Sequence, residues 1–201
     1  MNKKGMLIVY SGPSGVGKGT LMAPYLKAHP EAVLSVSMTT RAPRPGETDG
    51  VAYYFVTRER FEQEIAQNGL LEYAQYSGNY YGTPRAMVEE RIAQGQDVVL
   101  EIEVQGAMKI KKTFPDAVFI FVLPPSFEVL EQRLTGRGTE PPEVVAKRLA
   151  AAKAELHSAS LYDYIIVNDE VGRAGARLEA VICAAKCQTK YMKNLIDKVS
   201  E

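Results

Sequence analysis

Apolar residues in this chain fall into short blocks whose internal spacing switches back and forth. Residues 6–10, 97–102 and 117–123 are nearly continuous apolar runs of strand length, as in strands buried on both faces of a parallel sheet. Residues 33–37 and 164–168 read as shorter strands, and 51–56 and 70–76 as strands with more polar character. Three- and four-residue apolar spacing predicts helices over 18–28, 58–67, 85–94, 126–134, 141–158 and 173–199. Thr57 and Ser126 stand at N-cap positions, and Thr83-Pro84 is a helix start with proline at the first helical position. Strands alternating with helices predict an α/β fold, a mostly parallel sheet with helices on both faces.

Two stretches break the rhythm. Residues 37–91 cluster strands with turn residues and read as an insertion with its own small mixed sheet. Residues 136–142 are polar, hold Arg137, Gly138 and Pro141-Pro142, and read as a lid. The expected organisation is one domain over 1–201. Its core is 1–36, 92–125 and 160–201, with an insertion at 37–91 and a lid region at 126–159.

The run from Ser11 to Thr20 carries the sharpest chemical signal. Gly12, Gly17 and Lys18 match the phosphate-binding G-x-x-x-x-G-K loop, between a predicted strand and a predicted helix. The loop of Gly12, Pro13, Ser14, Gly15, Val16, Gly17, Lys18, Gly19 and Thr20 suits ATP phosphates, which its backbone N–H groups (all but that of Pro13, which has none) and the helix N-terminus would face. This makes the sheet a P-loop NTPase type. The residue after the lysine is Gly19, where a magnesium-holding Ser or Thr is usual. A Gly-Lys-Gly-Thr ending is closer to nucleoside monophosphate kinases than to motors and switches, whose switch loops are also missing.

Charge and composition narrow the rest. Lys and Arg number 24, as do Asp and Glu, so the net charge is zero, which argues against a general nucleic-acid or membrane-surface binder. No apolar run approaches the roughly 20 residues of a membrane span, and the residues before the first strand are too few for a signal peptide. A cytoplasmic protein is expected. Cys183 and Cys187, four apart on the last predicted helix, are expected to be buried or half-buried free thiols, and His29 and His157 are too few for a metal site with them.

Arg41 and Arg44 lie among hydroxyls and prolines, and planar guanidinium forks suit a phosphate dianion. A solvated loop would look similar. Tyr53-Tyr54 and the hydroxyl- and glycine-rich run from Glu72 to Thr83 add groups that hydrogen-bond a ligand.

Taken together, the P-loop, Thr-Thr-Arg-Ala-Pro-Arg-Pro-Gly-Glu (39–47), Ser-Gly-Asn-Tyr-Tyr-Gly-Thr (77–83), Glu-Ile-Glu-Val-Gln-Gly-Ala (101–107), Gly-Arg-Gly-Thr-Glu (136–140) and Ile-Val-Asn-Asp (166–169) resemble guanylate kinase. Order and spacing agree over about residues 5 to 185, most closely with the bacterial enzymes. The resemblance implies transfer of a phosphoryl group from ATP to GMP, and to dGMP, with Mg²⁺, and makes the insertion the GMP-binding domain. It assigns Arg41, Arg44, Tyr53 and Tyr81 to the GMP phosphate, and Glu72 to guanine. It sets Ser37 and Thr83 near guanine O6, beside Gly82, with Glu103 lining the site. Arg133, Arg137 and Arg148 would close over the transferring phosphates, and Asn168 would contact adenine, with Asp169 a weaker candidate. Mg²⁺ would be held mainly by ATP phosphates and waters, with Glu101 a candidate to organise them; Asp is frequent in the family where Glu101 and Glu103 stand here. No nucleic-acid or membrane partner is implied, and both monomer and homodimer stay open.

The chemistry agrees with the Glu72 assignment. Guanine offers N1–H and the 2-amino group as adjacent donors to one carboxylate, whereas adenine turns a lone pair toward it. Two other readings remain: a guanylate kinase-like binding module without catalysis, and a kinase for a different nucleotide.

Overall fold

The computed structural model describes residues 4–76, 78–136 and 142–200. Strand β1 (Leu7–Ser11) has no polar face to show to solvent, and all five of its residues are buried. It is the middle strand of a five-stranded parallel sheet. Its neighbours are β7 (Asp97–Glu101) and β8 (Val118–Leu123), with β2 (Ala32–Leu34) and β9 (Tyr164–Val167) at the edges, in the order β2-β7-β1-β8-β9. Ile8 stands opposite Val99 on one side and Val118 on the other.

The two-residue period of β1 then divides the core. Ile8 and Tyr10 face Leu21 and Met22 of α1 (Lys18–Ala28), Leu130 and Leu134 of α5 (Phe127–Thr135), and Leu178 and Ile182 of α7 (Val171–Lys186). Leu7 and Val9 join Val88 and Ile92 of α3 (Arg85–Ala93) and Ala107 and Ile110 of α4 (Val104–Thr113). Helices thus cover both faces, as the near-continuous apolar strands require. No helix among the described residues is long and apolar enough to cross a membrane.

A second sheet of four strands has the order β4 (Tyr54–Phe55), β3 (Met38–Thr39), β6 (Asn79–Pro84), β5 (Leu70–Tyr76). It is mixed: β3 runs parallel to β4 and antiparallel to β6, which runs antiparallel to β5. Helix α2 (Arg58–Ala66) packs Phe61 into this lobe, and the Thr57 side chain caps it by accepting from the Arg60 N–H at 3.2 Å. Helix α6 (Pro142–Leu156) runs into a 3-10 turn, His157–Leu161.

Several expectations are corrected. Pro84 is not at the first helical position; it ends β6 in extended conformation and stands as the N-cap of α3, because the ladder pairs it with Leu70. Strand β6 and helix α4 were not anticipated. The strand expected over 51–56 shrinks to Tyr54–Phe55, since the Val51 and Ala52 N–H groups turn back to the Thr48 carbonyl. The single helix expected over 173–199 is two, α7 and α8 (Thr189–Ser200). The break lies at Cys187-Gln188, where the Gln188 N–H bonds the Ala185 carbonyl and Tyr191 Oη donates to Asp116 O at 2.5 Å, redirecting the chain. Cys183 and Cys187 are both exposed rather than buried. The buried stripe of α7 is Ala174, Leu178, Ile182 and Ala185, and both cysteines fall off it.

Candidate active site

The loop after β1 crosses the C-terminal edge of the sheet, where ligand sites of open α/β sheets lie. Gly17 is the N-cap of α1 at φ 91°, and a Cβ there would fall 2.5 Å from Asn168 Nδ2, so both backbone and space demand glycine. No side chain caps α1, which leaves its first amides for an anion. Gly19 and Thr20, in the first turn, are exposed, whereas Val16 is fully buried and anchors the loop. Lys18 Nζ donates to Gly12 O at 2.7 Å and Pro13 O at 3.4 Å. Burial pulls this amine below its ordinary pKa, opposed by the charges of Glu101, Glu155 and Glu103.

Two of the expected arginines converge on the same loop. Arg133 donates to Val16 O at 3.3 Å and to Asn168 O at 3.0 Å, and Arg148 of α6 donates to Ser14 Oγ at 2.6 Å. Arg137 lies outside the described residues, as does Ser77. Asn168 is 3% exposed; its Nδ2 donates to Val16 O at 2.8 Å, while its buried Oδ1 has no partner. It braces the loop from beneath. Asp169 accepts from Arg177 at 3.3 Å on the outer side.

A cavity of about 310 Å³ opens between the small sheet and the end of β7. Ser37, Tyr53, Glu72, Tyr81 and Gly82 line it from the small sheet's side, and Glu101 and Glu103 from the core. Tyr53 and Tyr81 meet edge to face with ring centroids 5.9 Å apart, and the Arg41 guanidinium lies 5.4 Å from the Tyr53 ring centre. Arg41 Nη2 donates to both carboxylate oxygens of Glu47 at 2.8 and 2.9 Å, and Glu47 also accepts from the Arg44 N–H at 2.8 Å. Both arginines therefore sit on one loop organised by Glu47, with the Arg44 side chain exposed.

Glu72 is 8% exposed, and Thr83, fully buried, donates its hydroxyl to Glu72 Oε1 at 2.8 Å. Thr83, placed by the resemblance near O6, thus holds the carboxylate, and Ser37 is the one of the two hydroxyl residues that lines the cavity. Burial raises the Glu72 pKa; the Thr83 hydrogen bond and Lys109 oppose this, and Glu103 adds to it. Partial burial also raises Glu101, which Lys18 opposes.

Four groups escaped the sequence reading. Glu47 ends the Arg41–Arg44 motif, and its grip on both arginines is visible only in the fold. Gln105 and Gly106 line the cavity from α4, and Glu155 of α6 faces Lys18 and Glu103, with its pKa raised by burial. The one available signal was a glycine, Gly106, inside a helix-compatible stretch. Among the described residues no group of three or more His, Cys, Asp or Glu is placed to hold a metal.

Comparisons with known proteins show the family of the chain. The guanylate kinase family model matches residues 4–185. The guanylate kinase of Desulfitobacterium hafniense (strain Y51) is 54% identical over 186 residues, covering 92% of this chain and 93% of its own. That of Synechocystis sp. is 58% identical over 179 residues, covering 89% and 94%. The crystal structure of guanylate kinase from Anaplasma phagocytophilum superposes with a TM-score of 0.74 at 34% identity, covering 94% of this chain and 89% of that one.

Proposed function

Because the chain belongs to the guanylate kinase family, it phosphorylates GMP at the expense of ATP, and we propose how its residues divide that work. The P-loop residues Gly12 to Thr20 wrap the ATP phosphates, and Lys18 leaves the loop carbonyls it now bonds for the β- and γ-oxygens. Arg133 and Arg148, already on the loop, neutralise charge on the transferring group, and Arg137 joins them from the lid. The donors act by position and charge, which is most of what phosphoryl transfer asks of a protein.

Arg41 and Arg44 hold the acceptor phosphate, with Tyr53 and Tyr81 beside it. Glu72 accepts from N1–H and the 2-amino group of guanine, and Ser37 donates to O6. The same contacts admit dGMP, since none of them touches the 2′ position. The GMP phosphate is itself an anionic nucleophile near neutral pH, so no general base is needed. Residues 37–91 form the GMP-binding insertion and 126–159 the lid region.

The donor set fits Mg²⁺ held chiefly by phosphates and water: a carboxylate oxygen is at hand in Glu101, no three-ligand cage occurs among the described residues, and Gly19 offers no hydroxyl. When bound, the ion screens the β- and γ-phosphate charge. Glu101 would help hold its waters, while Glu103 lines the GMP side of the cavity.

The observation that carries this reading is Glu72, a buried carboxylate with one oxygen held by Thr83 and lining a cavity of about 310 Å³. The test compares Glu72→Gln with Lys18→Ala. Glu72→Gln is expected to lose kcat/KM for GMP by about 10²- to 10³-fold, because a buried polar pair is mismatched, with little change in KM for ATP. Lys18→Ala is expected to lose turnover with any acceptor. Unchanged GMP kinetics in Glu72→Gln would refute the base-reading role.

A further inference from the structure

The environment of Glu72 poses an electrostatic problem. To accept two N–H donors the carboxyl must be ionised, since a protonated carboxyl would turn an O–H toward one of them. Burial, the largest influence on Glu72, favours the neutral form, and the nearby Glu103 charge does the same. Something must offset both.

Helix α4 supplies the offset. Its first turn meets Glu72 so closely that a Cβ on Gly106 would lie 2.8 Å from Glu72 Oε2. The N-cap, Glu103, makes no side-chain capping bond, so the positive end of the helix is left facing this region. Lys109 stands three residues beyond Gly106, on the same helix face. Its Nζ donates to the carbonyl of Tyr73, the residue after Glu72 in β5, and lies 5.0 Å from the centre of the Tyr73 ring. Lys109 thus spans from the core helix to the small sheet.

We propose that Lys109 is a positioning residue for Glu72: it pins β5 at Tyr73 and lends the positive charge that keeps the guanine-reading carboxylate ionised. The inference rests on the assignment of Glu72 as base reader. Charged and polar groups reach Glu72 from each packed element: Thr83 from β6, Lys109 from α4 and Glu103 from the start of α4. Of these, only Lys109 brings a positive charge. Thr83 contributes a neutral hydrogen bond whose loss would disturb geometry at every pH.

The sign follows directly. Glu72 already titrates above an ordinary carboxyl, and removing Lys109 removes an influence that lowers it. Its pKa then rises further, and the ionised fraction falls first at the acid end. Lys109→Met keeps the apolar stem and deletes the charge; Lys109→Arg keeps charge and donor.

The test is the pH profile of kcat/KM for GMP at saturating ATP, from about pH 5.5 to 8.5, for the parent, Lys109→Met, Lys109→Arg and Glu72→Gln. Lys109→Met is expected to lose about two- to fivefold near pH 6, as befits an exposed cation acting on one carboxylate, and to rejoin the parent at the alkaline end. Lys109→Arg should follow the parent, and KM for ATP should not move. The carboxyl ¹³C resonance of Glu72, identified by its absence in Glu72→Gln, should titrate at higher pH in Lys109→Met. A Lys109→Met profile parallel to the parent, or an unshifted carboxyl titration, overturns the proposal. If instead Glu72→Gln leaves GMP kinetics intact, the base-reading assignment fails, whatever Lys109 does.

Discussion

Gly106 illustrates function carried by a missing atom. The Glu72 carboxylate occupies the space a Cβ would take, 2.8 Å from Oε2 and 3.2 Å from Cδ, and Thr83 holds its other oxygen. Gly106→Ala must therefore move the carboxylate or the helix. We expect KM for GMP to rise by about tenfold or more, since sub-ångström displacement of a positioning group is costly, with KM for ATP unchanged. Helix propensity by itself favours Ala by about 0.5–1 kcal/mol, so the melting temperature should not fall in step, which separates misplacement from unfolding. Steady-state kinetics beside thermal melts check both. At this scale the P-loop was legible because its residues are contiguous and each glycine has a local reason. The Thr83–Glu72 pair was not, because it depends on the register that sets Glu72 opposite Thr83 across β5 and β6. Lys109 was illegible for the same reason: its role exists only where α4 meets β5.

Elements with a strong apolar period and a cap were readable. Helix α5 was expected with Ser126 as its cap, and Ser126 Oγ accepts from the Val129 N–H at 3.3 Å. Helix α4 was missed because it contains Gly106 near its start, has no side-chain cap, and owes its stability to Ala107 and Ile110 against the sheet rather than to propensity. The division of the C-terminal helix was missed because tertiary bonds impose it. Those bonds include Asp97 at the start of β7, whose Oδ1 accepts from the Met6 N–H at 2.9 Å and whose Oδ2 pairs with Lys186 Nζ at 2.6 Å, tying the end of α7 to the sheet. The Asp97 side chain is only 7% exposed. Asp97→Ala should thus cost about 3 kcal/mol, the usual result of stranding one partner of a buried pair, read from urea unfolding. The pair lies at the opposite end of the strands from the P-loop, so GMP phosphorylation per folded molecule should be unchanged.

At the scale of the molecule, the architecture explains why one short chain can bring two nucleotides together. The parallel sheet delivers the P-loop, Glu101 and Asn168 to one edge, and the small sheet hangs the cavity walls beside that edge. Helices α5 and α6 return Arg133 and Arg148 to the same loop. This layout was visible in outline from the alternation of strands and helices and its interruption over 37–91. How the two lobes meet was not, because the meeting surface is α4. On the proposed assignment, this geometry selects GMP because Glu72 reads guanine. The most direct test of that assignment is ADP release from ATP and Mg²⁺ with GMP, AMP, UMP or CMP offered one at a time. Strong release with GMP alone is expected. Comparable release with AMP, UMP or CMP would overturn the role of Glu72 while leaving ATP on the P-loop, and no release with any of the four would overturn phosphoryl transfer to a nucleotide.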